Sequence, residues 1–190
     1  VNAYELITPL ETERLVLRRY APADFEALYA MRSSFEVARY LYSGPQTGGE
    51  VREMLAKKIE SISIRAPGDV LALAAELRAT RELVADVVLN LVSEEHRTAE
   101  VGYITHPDHG GRGYATEATR ALLAVAFDDL ELHRVIARLD ARNAASARVL
   151  EKLGLRLEAH LVENEYVKGE WQSELVYATL DREWHARSSA

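Results

Sequence analysis

The chain has 190 residues, a formal net charge of −7 and no cysteine. That length suits one domain, expected over residues 1–190, and it is long enough to bury a real hydrophobic core. The acidity argues against general nucleic-acid binding, which relies on clustered Lys and Arg, and the missing thiols exclude disulfides, thiolate nucleophiles and Cys-ligated zinc.

The first residues, VNAYELITPLETERL, lack a basic start and an apolar core, so no signal peptide is expected. No apolar run reaches the roughly 18–20 residues of a membrane span, which gives the expectation of a cytoplasmic protein with no membrane partner. ERLVLRRY (13–20) alternates and reads as a first strand. APADFEALYAMRSS (21–34) reads as a helix with Pro22 near its start and with Phe25, Leu28 and Tyr29 toward the core. YSGPQTGGE (42–50) is a loop, and Thr47 and Glu50 have the spacing of a capping box before the helix VREMLAKKIESI (51–62).

From Asp69 the period changes to that of strands. DVLALAAEL (69–77), ELVADVVLNLV (82–92) and AEVGYITH (99–106) read as an antiparallel meander. A glycine-rich loop and an apolar-striped helix follow in HPDHGGRGYATEATRALLAVAF (106–127). HRVIARLD (133–140) is a further strand, and NAASARVLEKLG (143–154) a helix with Gly154 at its C-cap. LRLEAHLV (155–162) and ELVYATL (174–180) are two last strands around the KGEW turn. Strands separated in this way by helices give an α/β or α+β chain with a mixed sheet.

The glycine loop carries the most chemistry. A helix start leaves main-chain N–H groups without internal partners, and the helix dipole adds to their pull on an anion. Gly110, Gly111 and Gly113 present no side chains, and Arg112 adds a positive charge. The expected occupant is a pyrophosphate; a glycine cluster kept only for turn geometry is the alternative. A P-loop would need a Lys after these glycines, and the dinucleotide fingerprint would need Gly at Thr116, so both fit poorly. His106 and His109 stand in H-x-x-H spacing at a strand–loop junction with no third ligand in view, so no metal site is expected.

GGRGYATEA behind AEVGYITHP resembles the acyl-CoA-binding motif of the GNAT N-acetyltransferases, with Gly113-Tyr114-Ala115 as its last part and Gly110 where the motif usually has Gln or Arg. TERLVLRRYAPADFEALYAM, NAASARVLEKLGLRLEA and KGEWQSELVYATL resemble the RimJ/RimL-like branch of that family, so the likeness spans most of the chain. The resemblance implies a mixed, mostly antiparallel central sheet of about seven strands with helices on both faces. It implies that AEVGYITH and HRVIARLD are parallel neighbours splayed around a thioester. It places the pantetheine arm of acetyl-CoA on the main chain near Ile104 and His106. The pyrophosphate falls on the amides of Gly111, Arg112, Gly113, Tyr114, Ala115 and Thr116.

The same resemblance sets Ser146, in the stretch opened by Asn143, near the CoA sulfur as the acid, and Glu165 as the base, with Glu100 as its rival. Each has a plainer reading: Ser146 and Asn143 as helix-capping residues, Glu165 as a solvated carboxylate. Lys152 and Arg142 are cations for CoA phosphates or for solvent, and Tyr40, Tyr42 and Trp171 are aromatics for the acceptor cleft. The implied activity is acetyl transfer from acetyl-CoA to a primary amine, foremost a protein N-terminus. The alternatives are a small-molecule amine, another acyl group such as succinyl, or CoA binding without turnover. A homodimer paired through the last strands is compatible with the branch.

Overall fold

The computed structural model describes residues 1–188. The chain opens with two short strands, β1 (Tyr4–Glu5) and β2 (Leu10–Glu11), and then β3 (Leu15–Arg18). A 3-10 turn at Pro22–Asp24 leads into α1 (Phe25–Ser33), followed by the short α2 (Phe35–Ala38) and by α3 (Gly48–Glu60). The 3-10 turn is held by Arg18, whose guanidinium reaches both Asp24 (2.8 Å) and Glu76 (2.6 Å). At the head of α3 the capping box forms as the spacing predicts. Glu50 N–H donates to Thr47 Oγ1 (3.4 Å) and Thr47 N–H to Glu50 Oε2 (2.7 Å).

The remaining strands are β4 (Ser63–Ile64), β5 (Val70–Leu77), β6 (Leu83–Ser93), β7 (Thr98–Thr105), β8 (Arg134–Asp140), β9 (Arg156–Val167) and β10 (Glu170–Leu180). The helices among and after them are α4 (Tyr114–Ala124), α5 (Ala144–Lys152) and α6 (Asp181–Ser188). The main sheet has eight strands in the order β2-β3-β5-β6-β7-β8-β10-β9, beside a two-stranded ribbon of β1 and β4. This is the mixed, mostly antiparallel sheet of about seven strands expected; its eighth member, β2, is two residues long and too short to show a period. All pairings in the main sheet are antiparallel except β7–β8, which is parallel.

Helices cover both faces. Leu71 and Leu73 of β5 pack with Leu122 and Leu123 of α4, whereas Ala74, next in line, packs with Leu28 of α1 and Leu55 of α3. A strand buried on both sides reads as a continuous apolar run, which is what VLALAAEL is. Tyr29, read from sequence as a core residue, is instead 36 % exposed and stacks on Phe25 at the surface of α1. Among the described residues no helix is long and apolar enough to cross a membrane.

Candidate active site

The one parallel pairing opens the sheet. β7 and β8 stay in register only at Thr98–Arg134, Ala99–Val135 and Glu100–Ile136; past these pairs the ladder stops. The His106 N–H donates to Val84 O on the β6 side (2.8 Å), so the alternation of a strand turns the main-chain groups of Tyr103 and Thr105 toward the open slot. His106 O accepts from His109 N (2.9 Å), so both main-chain groups of His106 are engaged within the protein. Main chain free for an extended ligand thus lies at Tyr103 and Thr105, to either side of the expected Ile104.

A cavity of about 360 Å³ fills this slot. Its wall takes consecutive residues of β7, Glu100 to Ile104, and of β8, Ala137 to Asp140. Neighbouring residues of a strand point to opposite faces, so the cavity passes through the sheet. On the α5 side it meets Asn143 and Ser146; on the α1 side it meets Arg32, Tyr40 and Tyr42. Gly102 keeps the middle open: a Cβ there would stand 3.1 Å from Val88 Cγ2.

Ser146 sits in the first turn of α5, and its N–H donates to Asn143 Oδ1 (3.0 Å), so Asn143 caps the helix and fixes the turn. Ser146 Oγ lies 2.7 Å from Tyr103 OH, and the tyrosine hydroxyl is also 3.0 Å from Ser146 O. Burial raises the Tyr103 pKa to about 12, against the smaller opposing pull of the Ser146 hydrogen bond. The pair is therefore a protonated, hydrogen-bonded diad inside the slot. Tyr103 carries no signal of its own in the sequence. Only the register of β7 against α5 reveals it.

The two candidate carboxylates separate. Glu100 lines the cavity and accepts from Arg138 NH2 (3.0 Å). Glu165 lies on β9 opposite Gln172, away from the cavity wall but close enough to Arg138 to help hold that guanidinium charged. Tyr40 and Tyr42 line the cavity, whereas Trp171 packs edge-on against Tyr166 in the β9–β10 hairpin and is 61 % exposed. Arg142 is bound to Asp140 (2.6 Å) and Glu170 (2.9 Å).

The glycine loop stands at the α4 end of the slot. Pro107–His109 form a 3-10 turn, Gly111 and Gly113 have φ of 74° and 83°, and Gly113 is the N-cap of α4. These left-handed values suit glycine and turn successive amides the same way. Among the described residues the amides of Gly111, Arg112, Gly113, Tyr114, Ala115 and Thr116 donate to no acceptor; the first helical bond is Glu117 N to Gly113 O (3.1 Å). Space is free as well: a Cβ on Gly111 would meet nothing within 4 Å. Six unpaired amides at a helix start fit a diphosphate.

Arg14, which the sequence reading did not single out, holds this loop. Its guanidinium donates to Arg112 O (3.0 Å) and Glu117 Oε2 (2.7 Å) and lies 4.7 Å over the Tyr114 ring. Glu117 also accepts from Thr12 Oγ1 (2.6 Å). Lys152, Arg120, Thr116 and Gly113 border one surface groove beside the loop. Among the described residues no group of three or more His, Cys, Asp or Glu could hold a metal ion.

The profile of the Acetyltransferase (GNAT) domain matches residues 14–156. YnaD, an uncharacterized N-acetyltransferase of Bacillus subtilis strain 168, is 30% identical over 93% of this chain and 99% of its own length. A spermidine N(1)-acetyltransferase of Vibrio cholerae is 26% identical over 84% of this chain and 88% of its own. Among solved structures, a GNAT-family acetyltransferase from Bacillus anthracis superposes with a TM-score of 0.82 at 30% identity, covering 92% of this chain and 99% of that one.

Proposed function

Since this chain belongs to the GNAT acetyltransferase family and is an N-acetyltransferase, we propose that residues 1–190 act as one unit that acetylates a primary α-amine, with the acceptor entering the slot from the α1 side. The observation that carries the reading is the run of unpaired amides from Gly111 to Thr116, which follows the strand whose residues line the cavity that crosses the sheet. An α-amine titrates near 8, against about 10.4 for a lysine side chain, so more of it is neutral at ordinary pH. The α-amine belongs to a protein N-terminus in the leading version of this reading and to a small molecule in the other. The spermidine relative favours a third acceptor, a polyamine. Two of the negative groups on the cavity wall speak against that, because Asp140 and Asp86 each already hold a cation.

Bound acetyl-CoA supplies the activated acyl group. The amides of Gly111 to Thr116 hold its diphosphate, with Lys152 and Arg120 at the edge of the adjoining groove. The main chain at Tyr103 and Thr105 lies along the pantetheine arm and offers N–H groups to an oxyanion. Ser146 holds the proton that the departing thiolate takes, and Tyr103 orients the serine hydroxyl. Glu100, the one of the two candidate bases that lines the cavity, receives the amine proton; Glu165, through Arg138, tunes the field around it.

The test is thiol release from acetyl-CoA on adding α-amines, beside calorimetric titration of the same preparation with CoA. Release together with binding supports the reading. CoA binding without release to any amine points to a CoA-holding regulatory protein, and no binding overturns both.

A further inference from the structure

On the α1 side the cavity wall contains a charged cluster that acetyl transfer itself does not use. Asp86 of β6, only 2 % exposed, accepts from Tyr20 OH (2.8 Å), Lys58 Nζ (2.7 Å) and Arg32 NH2 (2.7 Å). Burial pushes the Asp86 carboxyl up, but Lys58 and Arg32 outweigh it and hold the group below the usual carboxylate range. Two cations thus face one carboxylate, and the cluster is left with an excess positive charge.

That excess is directed at the cavity. Arg32 and Asp86 both line it. The Arg32 Nε is buried and has no acceptor among the described residues. Asn90 of the same strand also lines the cavity, and its Oδ1 is buried without a donor. Asn90 stands roughly 13 Å along β6 from Asp86, beyond the span of one small ligand, so Arg32 is the group that asks for an anion. A buried polar group left unpaired costs about 1–3 kcal/mol, more if charged, so a ligand that brings an anion to Arg32 recovers that cost.

Apart from Glu100, the proposed base, the nearby acids offer no competing partner for a polycation. Asp140 is taken by Arg142. Glu174, buried at 3 % exposure, accepts from Tyr42 OH and from Asn164 Nδ2 (2.5 Å), and stands behind Tyr42 rather than on the wall.

We propose that the acceptor is an amine that also carries a carboxylate: Arg32 binds the carboxylate, and the amine faces the slot. This rests on the acetyl-transfer reading above and narrows its substrate class. A free α-amino acid and a peptide with an acidic first residue both supply that chemistry.

The experiment measures thiol release by the unaltered protein on matched pairs. These are α-amino acids against their carboxamides, peptides beginning with Asp against the same peptides beginning with Asn, and spermidine alone. The expected result is that an acid exceeds its neutral partner by about tenfold or more in kcat/KM, because a site built for a charged group rejects the analogue lacking it. Which pair shows the gap identifies the source. Arg32→Gln should erase the gap by raising KM for the acid alone, and Arg32→Lys should restore part of it. Equal or better use of the neutral partners or of spermidine overturns the proposal. So does an Arg32→Gln effect that is the same for acid and amide, or a failure to acetylate any carboxylate-bearing amine while acetyl-CoA binds in the calorimeter. Absence of acetyl-CoA binding instead removes the acetyl-transfer reading, and this proposal with it.

Discussion

The Ser146 and Tyr103 hydroxyls lie 2.7 Å apart in the slot, and the roles proposed for them can be tested separately. Ser146→Ala should lower kcat roughly tenfold to a thousandfold, within the range for loss of general-acid help, while CoA affinity measured by calorimetry stays close to that of the unaltered protein. Equal turnover would leave Ser146 as a residue of the helix turn. Tyr103→Phe should lower kcat less, because it removes an orienting partner and not the donor. The Tyr103 pKa near 12 also sets a pH dependence. The folded value lies above the ordinary value of 10, so this group's contribution to stability is complete below pH 10 and is lost as pH rises through about 12. Tyr103→Phe should flatten alkaline unfolding in that window, followed by circular dichroism. Ser146 stood out in the sequence because the family resemblance of its stretch marked it. Tyr103, Arg14 and Arg32 did not, since each meets its partner at least 43 positions away.

Among the elements, the loop before α4 and the slot between β7 and β8 act on opposite ligands. Gly113 has φ of 83°, a value that a β-branched residue rarely adopts, so Gly113→Val should tilt the first amides of α4 and weaken CoA binding. Calorimetry reads this directly, and an unchanged Kd would show that the cradle does not depend on that turn. Gly102→Leu should act on the other side. Its side chain would fill the middle of the slot beside Val88, raising KM for the amine while CoA still binds at the loop. Most of these elements could be read from the chain. Capping residues, the glycine loop and the apolar runs of β5 to β7 marked their own positions. The hairpin of β9 and β10 reads shorter than it is, because β9 is an exposed edge strand whose polar residues hide the alternation. The helix α6 is similarly polar through most of its length.

For the whole molecule, the sheet and the buried Asp86 cluster set the stability against which these substitutions are read. Asp86→Ala would leave Lys58 and Arg32 facing each other without their carboxylate, and breaking a buried pair of this kind costs about 3–5 kcal/mol. Thermal unfolding should show a fall of several degrees or more, whereas Arg32→Gln, which leaves Asp86 with Lys58 and Tyr20, should cost far less. A sheet opened at its one parallel pairing would let two ligands approach from opposite faces. In the reading proposed above, acetyl-CoA lies on the α4 and α5 side and the amine on the α1 side. The most direct test is residue-resolved amide hydrogen exchange by NMR with and without CoA. The amides of Gly111 to Thr116 should exchange rapidly in the free protein and become strongly protected once CoA is added. Exchange that stays fast at these six amides while CoA is demonstrably bound elsewhere would contradict the account.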